Sequence, residues 1–422
     1  MFDDAVTPPA VWAAPDEPAR PALEGEEACD LAIVGGGLVG LTAADVAIRH
    51  GLSVMLVEAD VVGSGASGAN AAGVAPVWGA QTPDGVEAVL GQERGAILNA
   101  ALAVAGTTLI ERARAMPTDC GADGGGFLAL AAKEETAASL VGLADQWRRA
   151  GADVALLGTA LADHVQSPRY VEGLLFASGG TLNPRAYVRG LARQCERQGV
   201  RVFEKSPVVG IRRQTNGRWT VESGAGRIDA ATVVMAVHGG ARTGWGLDRV
   251  GWRIDCLLIG SAPLTEAQRQ ALPRASTFAD LDDATVFGGS FTTDGRIVAT
   301  VLPGPGQPSL AEAASVYADK FTRTFPGIAL PQWNSLDRGH ILITSDKLPQ
   351  LLELGPGLFA GQGCNGYGLC AGLLLGEDLA RLALRRPDMP PRFALESPRR
   401  SRLARIAPAL VRRAVPFIRR FA

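Results

Sequence analysis

Three glycines and one acidic residue have the types and the spacing to bind a dinucleotide. Gly35, Gly37 and Gly40 follow the apolar run Leu31–Val34, and Glu58 follows a second apolar run. Glycines at this spacing permit a tight strand-to-helix turn, close approach of backbone to a pyrophosphate, and packing of the helix on the strand. The helix N terminus would face the diphosphate, and the Glu58 carboxylate would accept hydrogen bonds from a ribose diol. No arginine directly follows Glu58 to receive a 2′-phosphate, so the pattern disfavours NADP.

Two further runs of small residues could approach a ligand closely. Residues 62–73 are almost all Gly, Ala, Ser or Asn, and they come soon after the acid that ends the second strand. A flexible linker is rare at such a place, so we predict a ligand-binding loop. The second run, Gly361–Gly368, precedes a predicted helix that extends to about Leu384. A glycine-rich helix cap would also explain this run, and the residues alone leave both interpretations open.

Composition limits the classes of partner. The 422 residues include 41 basic and 43 acidic side chains, and 47% of the chain is hydrophobic. This balance gives no reason to expect nucleic acid, and the hydrophobic share supports a substantial core. The six cysteines have no CxxC pair or zinc-ligand spacing, so we expect no metal site and reduced thiols in a cytoplasmic protein. The first 28 residues lack the features of a secretory signal, and no uninterrupted apolar run approaches a membrane span.

Apolar periodicity predicts the elements that position these motifs. Residues 38 to about 50, 86–114, 133–150 and 183–198 are predicted to be helical. Alternating stretches between residues 250 and 335 predict an antiparallel sheet on the substrate side.

Four segments, taken in order, carry a more specific pattern. They are the glycine turn with Glu58, the loop Gly65–Asn70, the helix and strand of Asn183–Val208, and the pair Thr344–Pro349 and Gly361–Gly368. Together they resemble the FAD-dependent D-amino-acid oxidase superfamily, most closely its glycine oxidase and gamma-glutamylputrescine oxidase-like branch. The resemblance covers nearly the whole chain. It implies an FAD-dependent enzyme that oxidises a small-molecule amine or amino acid, with oxygen or a quinone as acceptor.

The same resemblance assigns the FAD contacts and shows two departures. Relatives often carry Arg-Asn-Gly-Gly where this chain has Ala69–Ala72, and Tyr367 replaces a common histidine, so the substrate is not carried over. Neither Gly65–Asn70 nor Thr344–Pro349 has the His or Cys that binds flavin covalently in some relatives, which predicts noncovalent FAD. The predicted FAD contacts are Gly35, Gly37, Leu38, Val39, Gly40, Glu58, Ala59, Ser64, Gly65, Ala66, Ser67, Asn70, Ala72, Gly73, Val208, Ala236, His238, Gly363, Cys364, Asn365, Gly366, Tyr367 and Gly368.

The predicted fold class is α/β, with a Rossmann-like FAD-binding domain interleaved with an antiparallel-sheet substrate domain. Residues 1–28 are expected to form an irregular lead-in over the surface. The predicted ranges are 29–85, 155–248 and 338–386 for the FAD-binding domain, 86–154 and 249–337 for the substrate domain with its helical insertion, and 387–422 for a basic C-terminal tail.

Three residues are candidates for catalysis by orienting the substrate. A flavin that accepts hydride at N5 develops negative charge near N1 and C2=O, which N–H groups around Gly366–Gly368 would stabilise. Tyr367, His340 and Lys347 could orient the substrate beside it. Tyr367 could instead cap the helix, His340 could be a semi-buried structural histidine, and Lys347 could be an exposed loop residue. His238 is expected to touch the edge of the cofactor through its backbone.

The C-terminal tail leaves two interpretations open. No acid follows Glu396, whereas eight arginines do, and Leu403, Ile406, Leu410, Phe417 and Phe421 share one helical face. The tail could lie on an anionic membrane and deliver electrons to a quinone, or pack its apolar face on the protein.

Two other functions compete with an amine oxidoreductase. A flavin monooxygenase is disfavoured because Gly363–Cys364 stands where such enzymes usually carry Gly-Asp, and because no second glycine turn offers an NAD(P)H site. A noncatalytic flavoprotein would bind a partner or a membrane through its basic tail.

Overall fold

The computed structural model describes residues 8–13, 17–238, 245, 247, 250–399, 401, 404 and 406–418. Residues 416–418 are described without their side chains. The strands are β1 Gly25–Val34, β2 Val54–Val57, β3 Gly73–Val74, β4 Phe127–Ala131, β5 Val154–Leu156, β6 Glu172–Phe176, β7 Gly180–Thr181, β8 Arg201–Phe203, β9 Val208–Arg213, β10 Trp219–Ser223, β11 Gly226–Met235, β12 Gly251–Ser261, β13 Thr277–Asp280, β14 Phe287–Phe291, β15 Ile297–Val301, β16 Trp333–Thr344, β17 Gln350–Gly355, β18 Leu358–Gln362 and β19 Leu395–Glu396. The helices are α1 Leu38–Arg49, α2 Pro83–Leu90, α3 Gln92–Arg114, α4 Glu134–Arg149, α5 Leu161–His164, α6 Pro184–Arg197, α7 Glu266–Ala271, α8 Leu310–Thr324, α9 Gly368–Leu384 and α10 Ala407–Ile418.

A nine-stranded sheet carries the motifs of the cofactor prediction. Its order is β19-β17-β18-β11-β1-β2-β8, and β9 and β10 extend it from β11. Strands β18, β11, β1, β2 and β8 are parallel to one another. Alternate residues of β1 face two different cores: Leu31 and Ile33 pack with α1, α6 and α9, while Ala32 and Val34 pack on the opposite face. Burial on both faces explains why these strands read as continuous apolar runs.

An eight-stranded sheet forms the second layer. Its order is β16-β12-β15-β14-β13-β4-β6-β5, and all neighbours are antiparallel except β4 and β13. Helix α8 covers one face, where Tyr317, Phe321 and Phe325 pack against Phe278 and Phe287.

Sheet membership differs from the predicted domain ranges at several strands. Strand β6 and most of β5 lie in the range 155–248, which was predicted for the FAD-binding domain, yet both belong to the eight-stranded sheet together with β4. Strand β16 belongs to that sheet too, although its second half falls in the range 338–386. Strand pairing is set by partners far away in the sequence, which local periodicity does not register. The division into an FAD-binding and a substrate domain remains a prediction.

The described part of the N-terminal lead-in is irregular up to Glu24, but the expectation that it lies over the surface is wrong for three residues, Val11, Trp12 and Leu23, the last of which is 3% exposed. Val11 and Trp12 are only 2% and 1% exposed, and they form a small core with Ala69, Ala72 and Leu258. The first strand also begins earlier than residue 29, at Gly25.

The basic tail contains a helix whose predicted apolar face is only partly packed. Helix α10 contacts β12, Val415 is 3% exposed, and Arg412 forms an ion pair with Asp255. Ile406 and Leu410 are 52% and 55% exposed, so packing of the predicted face on the protein is wrong for these two positions. The predictions for Leu403, Phe421 and the Phe417 side chain lie outside the described residues.

Helix α3 is long and apolar enough to cross a membrane by length and composition, and it is the one such helix among the described residues. Half of its most apolar window is buried inside the protein. Its Asn99 side chain accepts a hydrogen bond from Trp78 Nε1 at 2.7 Å, and Leu98 and Leu102 are fully buried. These contacts place α3 in the core of this fold.

Candidate functional site

Four predicted cofactor positions lie directly after parallel strands. Gly35 follows β1 and Glu58 follows β2. Ala236 follows β11 and Gly363 follows β18. Because these strands are parallel, their carboxyl ends meet at one edge of the sheet, where open α/β sheets bind their ligands.

The glycine turn after β1 is packed too tightly for larger residues. Gly35 has a φ of 112°, and a Cβ atom there would lie 2.6 Å from Ala236 O. A Cβ on Gly40 would lie 2.1 Å from Gly35 O, so glycine is what allows α1 to start against the turn. A Cβ on Gly37 would lie 2.8 Å from Ser67 Oγ. The structure therefore brings five predicted cofactor residues into contact.

The small-residue loop, residues 62–73, is shaped by its own polar side chains. Ser67 Oγ accepts a hydrogen bond from Leu38 N at 2.9 Å, at the start of α1. Asn70 Nδ2 donates to two backbone oxygens of the loop at 3.1 Å, and Asn70 Oδ1 accepts from Ala72 N at 3.0 Å. These bonds explain the Ser and the Asn of the motif and hold the loop beside the N terminus of α1.

The second glycine run, Gly361–Gly368, folds against the end of β16. Asn365 Oδ1 accepts a hydrogen bond from Thr344 N at 2.9 Å, and Asn365 has a φ of 51°. A Cβ on Gly363 would lie 2.3 Å from Thr344 Cγ2. Thr344 Oγ1 donates to Leu348 O at 2.8 Å and closes the turn after β16. The two motifs of the late sequence are therefore one folded unit.

Helices α1 and α9 point their N termini at this edge side by side. A Cβ on Gly376 would lie 2.6 Å from Thr42 Cβ, and a Cβ on Gly372, one turn earlier, would contact Leu38 and Val39. The helices are therefore parallel and tightly packed. Neither has an acidic residue in its first turn, whereas the first turns of α4 and α8 contain glutamates. The positive ends of both dipoles are thus available to anionic groups, which fits the diphosphate and the electron-rich flavin edge of FAD.

Glu58 also has the surroundings that a ribose contact requires. Its Oε2 accepts a hydrogen bond from Gly36 N at 2.7 Å, and its Oε1 accepts from Asp60 N at 3.0 Å. Each carboxylate oxygen keeps further lone pairs for hydroxyl donors. Ser206 N donates to Glu58 O at 2.8 Å, which places the start of β9 at Val208 near the same position.

The other predicted cofactor positions differ in exposure. Ala59, Ser64 and Gly65 are exposed, and a Cβ on Gly65 would have no atom within 4 Å. A Cβ on Gly73 would lie 3.0 Å from Thr277 Oγ1 of β13. The small-residue loop thus runs from solvent to the eight-stranded sheet.

Two histidines, one after β11 and one on β16, meet near the site. The ring centroids of His238 and His340 are 5.4 Å apart, and His238 has a φ of 46°. His238 Nε2 is buried and has no hydrogen-bond partner among the described residues. Burial, and to a smaller extent His340, lowers the pKa of His238 to about 4. Burial and the Arg253 charge lower the pKa of His340, and Asp255 opposes them. Both imidazoles are therefore neutral at pH 7.

We expect a His238→Gln variant to lose less stability in acid than the wild-type protein. Histidine has a pKa of 6.5 when unperturbed and about 4 at position 238 of the folded chain, so the unfolded chain binds more protons between these values. The contribution of neutral His238 to the free energy of unfolding is therefore complete above pH 6.5, and it is lost as the pH falls towards 4. Thermal midpoints at several pH values measure this, with the exposed His50→Gln as control. Parallel curves for wild type and His238→Gln would contradict it.

The three predicted orienting residues do not form one hydrogen-bonded group within the described part of the chain. Tyr367 precedes α9, and a Cβ on Gly79 would lie 2.8 Å from its ring. Burial raises the pKa of Tyr367. Lys347 Nζ lies 4.4 Å from the centroid of the Trp252 ring, and partial burial lowers its pKa. Lys347 is therefore half-buried against an aromatic ring and is not an exposed loop residue. The catalytic roles of all three remain predictions.

Sequence reasoning missed the segment 78–81. Gln81 Nε2 donates to Asp346 O at 2.7 Å, and Gly79, with a φ of 74°, lies against Tyr367. Nothing in the local spacing links residues 78–81 with positions 346 and 367, because the contacts exist only once the sheets are assembled.

All six cysteines are free and buried. Burial raises the thiol pKa to about 11 for Cys120 and Cys256, to about 12 for Cys29, Cys364 and Cys370, and further for Cys195. Among the residues that the structure describes, no group of three or more His, Cys, Asp or Glu side chains could hold a metal ion.

Comparison with known proteins gives consistent matches over most of the chain. The family model described as FAD dependent oxidoreductase (DAO) matches residues 30–382. Gamma-glutamylputrescine oxidoreductase of Escherichia coli (strain K12) is 27% identical over 361 residues, which cover 84% of this chain and 83% of that protein.

Two solved structures share the fold. Glycine oxidase from Geobacillus kaustophilus matches with a TM-score of 0.68 and 22% identity, over 85% of this chain and 95% of that one. L-alpha-glycerophosphate oxidase from Mycoplasma pneumoniae, solved with FAD bound, matches with a TM-score of 0.68 and 16% identity, over 87% and 99%. These likenesses confirm the mixed α/β fold class, and the family match confirms the resemblance seen in the motifs. The glycine turn, the small-residue loop and the late glycine run all lie inside the matched range, and the chain belongs to the DAO family of FAD-dependent oxidoreductases.

Proposed function

We propose that this oxidoreductase oxidises the C–N bond of an amine or amino acid by hydride transfer to N5 of a noncovalent FAD. The resulting imine hydrolyses, and oxygen or a quinone takes up the electrons. The observation that carries the proposal is the meeting of four parallel strand ends and two helix N termini in a chain of the DAO family. The names of two similar proteins, a gamma-glutamylputrescine oxidoreductase and a glycine oxidase, support an amine or amino-acid substrate.

Different residues at the sheet edge would bind different parts of FAD. The N terminus of α1 would receive the diphosphate, Glu58 the adenosine ribose, and the N–H groups before α9 the flavin N1 and C2=O region. FAD held in this way supplies the hydride acceptor. Noncovalent binding is supported by the small-residue loop, which has no His or Cys, and by Cys364, whose sulfur packs towards Gly372 of α9.

One of the two histidines is a candidate for the proton transfer that amine oxidation requires. An ammonium group must lose a proton before its nitrogen lone pair can support departure of a hydride from the neighbouring carbon. His340 is neutral at pH 7 and could accept that proton, whereas a pKa of about 4 makes His238 a weak base for this step. Tyr367 and Lys347 would orient the substrate.

Anaerobic mixing with a panel of amines tests the proposed function. Primary amines, D-amino acids and N-methyl amino acids are added to the flavin-loaded protein, and the flavin absorption band is followed. Bleaching by an amine or amino acid supports the proposal. Glycerol 3-phosphate serves as a non-amine comparison, since a related fold acts as a glycerophosphate oxidase.

Three outcomes of the panel would redirect the assignment. Bleaching by glycerol 3-phosphate alone would indicate that the substrate is an alcohol and not an amine. Silence across the panel would favour the noncatalytic flavoprotein, and bleaching by NADPH, added as a further member of the panel, would favour the monooxygenase. Reoxidation of the bleached protein in air, with and without a quinone analogue, then identifies the acceptor.

We also propose peripheral membrane contact through α10 in an otherwise cytoplasmic protein. The exposed Ile406 and Leu410, next to the exposed Arg413, support this contact. The full chain is expected to float with anionic vesicles, and a chain that ends at Ser397 is expected to stay in the dense fraction. Equal flotation of both chains, or of neither, would remove the membrane contact.

A further inference from the structure

Trp12 is buried at a place where a surface lead-in was expected. It is 1% exposed and packs with Val11 against Ala69 and Ala72 of the small-residue loop, and against Val298 of β15. A Trp so completely buried outside regular structure implies that the packing of its ring contributes substantially to holding the segment in place.

The indole of Trp12 is bonded directly to the small-residue loop. Trp12 Nε1 donates to Asn70 O at 2.8 Å. Asn70 is the residue whose side chain holds three backbone groups of that loop. The bond from Trp12 therefore fixes the backbone of the residue that organises the loop.

The segment 9–12 is anchored to the protein by other elements at the same time. Arg185 Nη1 of α6 donates to Trp12 O at 2.6 Å, and Arg296 Nη1 donates to Val11 O at 3.0 Å. Val11 N donates to Asp337 Oδ2 at 3.0 Å, and the guanidinium of Arg296 lies 5.4 Å from the centroid of the Trp12 ring. The small-residue loop is thus fastened to the eight-stranded sheet through Trp12.

A second part of the lead-in fastens the beginning of the same loop. Glu204 Oε1 accepts a hydrogen bond from Val62 N at 2.8 Å and another from Arg20 Nη1 at 3.1 Å. Arg20 Nε also donates to Glu196 Oε1 at 2.7 Å. The loop is therefore tied to the lead-in near both of its ends.

We propose that Trp12 is a positioning residue for FAD: it holds the small-residue loop in its binding shape and slows release of the cofactor. The inference rests on the proposed role of this loop. Gly, Ala and Ser side chains make few contacts of their own, and a chain of such residues has high conformational entropy when unbound. A loop ordered before FAD arrives avoids that entropic cost at the moment of binding.

Release of FAD from the holoprotein tests this role. In Trp12→Phe the ring stays in the cluster and only the donor to Asn70 O is lost. A hydrogen bond is worth about 0.5–1.5 kcal/mol, so we expect the FAD dissociation constant and release rate to rise about twofold to tenfold. Trp12→Ala is expected to raise both further. Flavin fluorescence after dilution measures the release rate, and equilibrium dialysis gives the dissociation constant.

Trp333→Phe is the matched control. Trp333 is 4% exposed in β16, and its Nε1 has no hydrogen-bond partner among the described residues. The same substitution there removes no bond and is expected to leave FAD release unchanged. The free energy of unfolding is measured for both variants. A purely structural role of Trp12 would lower that free energy without changing FAD release relative to Trp333→Phe.

Equal release rates in Trp12→Phe and Trp333→Phe would overturn the positioning role, whatever the result of the amine panel. If Trp12→Ala does not fold, the comparison of the two Phe variants still decides. A wild-type chain that takes up no FAD would overturn the proposed function and this inference together.

Discussion

A Gly40→Ala variant is expected to bind FAD poorly and to unfold more easily than the wild-type protein. The added Cβ would lie 2.1 Å from Gly35 O, which is far inside van der Waals contact. The start of α1 must then move away from the glycine turn, and backbone shifts of this kind cost about 1–3 kcal/mol. Where that strain opposes cofactor binding, the FAD dissociation constant rises by about tenfold to hundredfold. Flavin absorbance of the purified protein and thermal unfolding measure both effects.

Gly142→Ala is the control for this substitution. Gly142 is exposed inside α4, and a Cβ there would have no atom within 4 Å. Alanine is favoured over glycine in a helix by about 0.5–1 kcal/mol, so this variant is expected to be slightly more stable and to bind FAD normally. Full flavin content in Gly40→Ala would mean that the start of α1 does not bind the cofactor.

An Arg392→Met variant is expected to have a much lower free energy of unfolding than the wild-type protein. Asp378 is fully buried in α9, and Arg392 Nε donates to its Oδ1 at 2.9 Å. Arg392 N and Phe393 N donate to its Oδ2 at 2.6 and 2.8 Å. Removal of the guanidinium leaves a buried carboxylate without its main counter-charge, which costs about 3–5 kcal/mol. Arg381 remains 3.8 Å away, so we expect the lower end of that range, measured by urea unfolding.

The pH dependence of this variant gives a second readout. Burial already raises the pKa of Asp378, so the folded chain holds a proton at this carboxyl to higher pH than the unfolded chain does. The penalty from Asp378 therefore shrinks as the pH falls, and Arg392→Met should recover part of its stability in mild acid. Arg386→Met is the control, because Arg386 and Asp388 form an ion pair at the surface, where such pairs contribute little to stability. A similar small loss in both variants would contradict the prediction.

The part of the site that the sequence predicts well is the part built from local signals. The turn at Gly35–Gly40 combines a strand, a glycine spacing and a helix that are neighbours in the chain. Helix α6 likewise begins where Asn183 and Pro184 predict, and Asn183 Oδ1 accepts hydrogen bonds from the N atoms of the next turn. Such signals act over a few residues and need no knowledge of the remainder of the fold.

Contacts between distant segments could not be predicted in this way. The pairing of β4 with β13 and the packing of Trp12 on the small-residue loop both join segments far apart in the chain. The predicted helix 86–114 also divides at Gly91, whose φ of 86° ends α2 and lets α3 start in another direction. One hydrophobic pattern describes both helices, so periodicity alone does not reveal the division.

The exposed positions of α10 show a related limit. A helical wheel groups Ile406 and Leu410 on an apolar face, but it cannot say which neighbour that face meets. In the structure Arg412 forms an ion pair with Asp255 of β12 and Val415 is buried, whereas Ile406 and Leu410 are about half exposed. Helical periodicity therefore indicates that a helix is amphipathic, but it does not identify the surface that its apolar face contacts.

The burial of every thiol has a consequence for the lifetime of the enzyme. Turnover with oxygen as acceptor would release hydrogen peroxide, which attacks the thiolate form of cysteine. Each of the six cysteines is shielded from solvent and has a raised pKa, so almost no thiolate is present at neutral pH. Among the described methionines, Met55, Met116 and Met235 are buried and Met389 is half-buried. Among these four methionines, oxidation by the peroxide that the enzyme itself would release should therefore begin at the Met389 thioether, close to the end of α9.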